Sequence, residues 1–125
     1  MIDDNPNVRC AVARRIGIDM LPLMIKDVSI DVRIIVAKNI DPKFFRDMIN
    51  IEISYDQGIS VILEILKRCN IERDAEILDK LISDENWEIR REVAIVGYRC
   101  DILQHDGDRD VSNAARNKLK LNKGE

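Results

Sequence analysis

The run Asp3-Asp4-Asn5-Pro6-Asn7-Val8-Arg9-Cys10-Ala11-Val12-Ala13 lies over Asp27-Val28-Ser29-Ile30-Asp31-Val32-Arg33-Ile34-Ile35-Val36-Ala37 without a gap, at a shift of 24 positions. A fixed period of this size restricts the fold more than any other feature, because so short a unit cannot enclose a core and must share one with its neighbours. The frame returns from Asp84 to Ala94, more weakly from Asp106 through Asp108 and Val111 to Ala114-Ala115, and in degenerate form from Ser54 through Asp56 and Ile59 to Leu63. That makes five units, whose equivalent positions Val8, Val32, Ile59, Ile89 and Val111 stand 24, 27, 30 and 22 residues apart.

The third position of the frame holds Asn5, Ser29, Asp56, Asn86 and Asp108. Each carries a side-chain oxygen able to accept from the unpaired N–H groups of a helix's first turn, so each predicts a helix start. Pro6 then takes the first helical position, where its missing N–H costs nothing, and Asp31, Glu88 and Asp110 set negative charge against the positive end of the dipole. Apolar residues follow four apart at Val8/Val12, Val32/Val36, Ile59/Leu63, Ile89/Val93 and Val111/Ala115, which places each pair on one helical face. Ala13, Ala37 and Ala94 beside them allow close helix approach.

Second apolar segments lie between: Leu21 to Ile25, short enough to predict a single 3₁₀-like turn; Asp41-Pro42 opening onto Phe44, Phe45, Met48 and Ile49; and Ile71, Ala75, Leu78 and Ile82 at helical spacing. Apart from a brief ambiguity at Asn50 to Tyr55, no period-2 pattern competes. The expected fold is all-α, a short right-handed α-solenoid of about five HEAT-like helical repeats, a single domain over residues 1–125 with 118–125 as a frayed tail.

No apolar stretch approaches the roughly 18 to 20 residues that cross a bilayer, and the N-terminus lacks the basic lead and apolar core of a secretion signal. Cys10, Cys69 and Cys100 are odd in number and far apart, which argues against disulfides or a clustered metal site and points to a reducing cytoplasm. The net charge of −3 gives no overall pull toward nucleic acid or an anionic membrane.

On these residues the chain resembles the leucine-rich repeat variant family and, more broadly, HEAT-like repeat proteins. The first two units carry the likeness best: Asp27-x-x-x-Asp31-Val32-Arg33-x-x-Val36-Ala37-x-Asn39 is similar to that family's repeat core. The likeness covers residues 3–49 and 84–116, and 50–83 weakly. It implies a right-handed superhelix of helical layers that serves as a recognition surface without chemistry of its own. The chain departs in that its three scattered cysteines give no basis for the cysteine-rich cluster-binding segment of some members, and in filling several leucine positions with Met, Phe or Ile.

Arg9, Arg33 and Arg90 share one repeat position, six residues after Asp3, Asp27 and Asp84. Such a row predicts either a ladder of bidentate bonds to an Asp or carbonyl of the neighbouring layer, or a line of phosphate contacts. Other basic residues gather early, at Arg14, Arg15, Lys26, Lys38, Lys43 and Arg46. Residues 1–50 hold 8 basic against 7 acidic side chains and residues 51–110 hold 8 against 15, which confines any nucleic-acid contact to the N-terminal half or the lysine tail. Trp87 at a helix start predicts a staple onto Leu81 or Ile82, or an interface anchor. His105 has no companion for acid–base or metal work, Cys10 and Cys100 read as buried fillers, and Asp84-Glu85 read as helix-start charges.

The functional expectation is a non-enzymatic protein-interaction module with no catalytic residues, metal or cofactor. Its expected partner-contacting residues are Arg14, Arg15, Lys38, Lys43, Arg46, Trp87 and Arg91. Two alternatives stand beside it: a nucleic-acid-binding module using the early basic residues, or a self-associating fragment of a longer solenoid, dimerising through a first repeat that no polar cap covers.

Overall fold

In the computed structural model, residues 4–55 and 58–122 are described, and among them every regular element is helical. The α-helices are α1 (Pro6–Arg15), α2 (Ile30–Asn39), α3 (Phe45–Glu52), α4 (Ile59–Leu66), α5 (Ile71–Leu81), α6 (Trp87–Val96), α7 (Cys100–Leu103) and α8 (Arg109–Asn122). Two 3₁₀ segments, Ile18–Met24 and Pro42–Phe44, join the early helices. The first follows from Pro22, which has no N–H to give and blocks regular helix, and it buries Leu21 and Met24 beneath it. Residues 50–55 continue α3 and then turn, so the strand ambiguity there resolves to helix.

The predicted starts are largely made by the predicted atoms. Asn5 accepts from Asn7 N–H, Asn86 from Glu88 N–H at 2.8 Å, Asp108 from Asp110 and Val111 N–H, and Asp41 from Lys43 N–H ahead of Pro42. Ser29 departs from the scheme: its hydroxyl caps nothing, and its own N–H is held by Asp27 Oδ1 at 2.9 Å. The first residue of the frame does this elsewhere too, Asp84 holding Asn86 N–H and Asp106 holding Asp108 N–H, both at 2.8 Å. The frames at Asp84 and Asp106 therefore open with two successive side-chain turns, the first fixing the cap and the second fixing the helix. Asp56 lies outside the described residues. Asn70, which the frame does not mark, caps α5 through Glu72 and Arg73 N–H.

The chain divides into two compact units, Met1–Ile65 and Leu66–Glu125. In the first, α1 packs on α2, and α2 on the 3₁₀ segment that precedes it. Val32, Val36, Ala37, Ile40, Phe45 and Met48 are fully enclosed. In the second, α8 packs on α6 and α7, and α5 on α6, around Leu78, Leu81, Ile89, Val93, Val111 and Ala115. Lys118–Asn122, expected as a loose tail, continue α8, with the Lys118 stem laid across Gly97.

Two apolar pairs depart from expectation. Ile59 and Leu63 are only half-buried; α4 instead buries Val61, Ile62, Ile65 and Leu66, because the degenerate frame misplaces the helix phase. Val8 is 41% exposed and Val12 half-buried, whereas their equivalents Val32 and Val36 are sealed at 0%.

Candidate interaction surface

The repeated arginines do not face solvent. Arg9 grips Asp27 with Nε at 2.8 Å and Nη2 at 3.1 Å, and Arg90 grips Asp106 with Nε at 2.8 Å and Nη2 at 3.2 Å. In both, the carboxylate is the first residue of the next frame, the one whose other bonds form the turn. Arg33 and Arg90 also donate Nη1 back to the first residue of their own frame, the carbonyls of Asp27 and Asp84, at 2.8 Å each. The Arg90 guanidinium thus ties its own helix start to the next, a fork geometry that lysine cannot supply. Arg33 takes Glu52 in place of an Asp, with Nε at 3.0 and 3.2 Å from its two oxygens and the Tyr55 ring 4.4 Å away.

Partial burial alone would raise the Asp27 and Asp106 carboxyls, but the hydrogen bonds from Arg9 and Arg90, with those from the Ser29 and Asp108 N–H groups, outweigh it and hold both below the ordinary value of 3.8. At Glu52 the balance is reversed: burial pushes the carboxyl up, and Arg33 recovers only part of the shift. Cys69 is driven to about 12 by burial and by the neighbouring Asp74 charge. Burial also raises Cys100. These polar groups are spent on structure, and none of the described histidines, cysteines or carboxylates gather into a group that would hold a metal ion. His105 stands exposed in the loop before α8.

Helix α1 is partly open. It lines two grooves. One, of about 450 Å³, follows its Val8, Ala11, Val12, Arg15 and Ile16. The other, of about 360 Å³, runs between α1 and α2 and is lined by repeat-equivalent positions of the two helices: Asn7 with Asp31, Cys10 with Ile34, and Arg14 with Lys38. The structure therefore brings Arg14 and Lys38 together and sets Arg15 in the apolar groove. All three are exposed and form no ion pair with any described residue.

The other expected contacts are not gathered there. Lys43 leans over the Phe44 ring at 5.4 Å and Arg46 is exposed on α3, and neither lines a groove described above. Trp87 and Arg91 belong to the second unit, where the Arg91 guanidinium sits 5.2 Å from the centre of the Trp87 ring, one turn on along α6. Trp87 is 37% exposed, and Arg91 Nε is enclosed without a hydrogen-bond partner. The open face of α1 was not legible as such, because Val8 and Val12 look the same in sequence as their buried equivalents.

No known protein family, curated protein or solved structure matches the chain. No described helix is long and apolar enough to cross a membrane.

Proposed function

We propose that this protein is a non-enzymatic interaction module of the HEAT-like, leucine-rich-repeat-variant kind, in which helical repeats present α1 and α2 to a protein partner. The single observation that carries this is the contrast between equivalent residues: Val32, Ile89 and Val111 are at most 1% exposed, while Val8 is 41% exposed. An apolar stripe that is core in three copies and open in a fourth is surface kept for contact. The interior charges support the same reading, since the repeated arginines are consumed in holding frames together. The three unpaired thiols support a reducing compartment such as the cytoplasm.

The test is site-specific photocrosslinking in cells, with benzoylphenylalanine placed at exposed Ala11 on α1 or at exposed Asp101 on α7. The expected result is a discrete protein adduct from position 11 and none from 101. Adducts that are nucleic acid, or that form equally at both positions, sink the proposal. An adduct that is the chain itself transfers the face to self-association.

A further inference from the structure

Resting on that reading, we infer that the groove between α1 and α2 takes an extended segment of the partner carrying a carboxylate and, three residues away, a cationic or amide side chain. The groove is polar at its two ends. At one end stand Arg14 and Lys38, in the last turns of α1 and α2; at the other stand Asn7 and Asp31, in the first turns. Its middle is apolar, with Cys10, Ile34 and Ile35. The two cations are not neutralised by any described acid, so the basic end calls for an anion from outside. Asp31 makes no ion pair with a described residue either, which rejects a second acid at the far end and favours a donor.

The spacing of the groove's charged ends sets the geometry of the guest. Arg14 follows Asn7, and Lys38 follows Asp31, by seven residues, so the ends of the groove lie about 10 Å apart at 1.5 Å per residue. In a polyproline II strand, three residues span about 9 Å and return the side chain to the same face, whereas in a β-strand residues three apart face opposite ways. The fitting pattern is therefore acid, two small or apolar residues, then base or amide, in that geometry. The same positions in later frames are Ile65, Ile95 and Asn117. The paired cations are thus peculiar to the first two repeats.

The test is selection of a displayed library of random 12-residue peptides against the full chain, followed by fluorescence anisotropy of the selected peptides. The expected result is enrichment of an acid with a base or amide three positions away. Binding should weaken by about tenfold or more in the Arg14→Glu/Lys38→Glu variant, whose own selection should place a base where the acid stood. Both sites are exposed, and helical circular dichroism verifies that the variant is folded. Peptides lacking the spaced pair, peptides that bind the variant equally, or tighter binding of a single-stranded oligothymidine than of any peptide each overturn the inference. If peptides fail while position 11 still crosslinks to a protein, the groove assignment falls and the interaction reading stands.

Discussion

Arginine and glutamate sealed at 3% and 1% exposure persist only because each meets the other's charge. The Arg33–Glu52 pair is deeply buried, and removing one member strands the other. Arg33→Met should cost about 3–5 kcal/mol in urea denaturation, and Arg33→Met/Glu52→Leu should recover much of it, because the second change removes the stranded charge. If the double variant is no better than the single, the pair is not what its burial indicates. The pH dependence separates the two kinds of carboxyl. Asp27 and Asp106, held low, contribute stability present above 3.8 and lost as the pH falls through their depressed values. Asp27→Asn/Asp106→Asn should therefore flatten the acid side of the stability profile. Glu52, pushed up, has the opposite sign: its contribution declines as the pH climbs from 4.5 through its raised value. Glu52→Gln should accordingly gain on the parent across that window, and a gap that is constant with pH would refute the assignment.

At the scale of elements, two glycines do work that no other residue can. Gly97 ends α6 at φ 99°, with its N–H on the Ala94 carbonyl and the Tyr98 N–H on the Val93 carbonyl, the paired bonds of a Schellman stop. A side chain there meets both the left-handed backbone and the Lys118 stem, so Gly97→Ala should cost about 1–2 kcal/mol. At Gly58 a Cβ would collide with the Glu52 carbonyl, and the backbone must move; Gly58→Ala should cost about 1–3 kcal/mol. Gly17 and Gly107 have open space and should tolerate alanine within about 0.5 kcal/mol. Caps offer a parallel comparison: Asn86→Ala and Asn70→Ala should each lose about 1 kcal/mol. Asn86 was readable because it stands in the frame, whereas Asn70 does not and looks like any loop asparagine. Helix starts were legible because capping is local chemistry, written within four residues. Which helical face ends up covered was not, because Val8 and Val32 carry the same local signal and differ only in what lies across from them.

Across the whole molecule, the charge imbalance seen along the sequence does not survive the division into units. Residues 1–65 hold 8 basic and 10 acidic side chains and residues 66–125 hold 12 and 13, so neither unit supplies the basic field that nucleic acid requires. What distinguishes the units experimentally is their thiols. Cys10 belongs to Met1–Ile65, and Cys69 and Cys100 to Leu66–Glu125. Thiolate is the form that alkylates, so raising Cys69 from 9.0 to about 12 lowers its reactive fraction about a thousandfold, even though the residue is only half-buried. Cys100 is shielded by position, at 4% exposure, with its thiol donating to the Ala94 carbonyl at 3.4 Å, whereas Cys10 lines the groove between α1 and α2. Iodoacetamide at pH 8, read by mass spectrometry, should therefore leave Cys69 and Cys100 essentially unmodified in buffer and label all three in strong urea. Cys100 should react only as helical circular dichroism is lost, since access to it needs its packed helices to part. Rapid labelling of Cys69 in buffer would show that its thiol is neither desolvated nor opposed by Asp74.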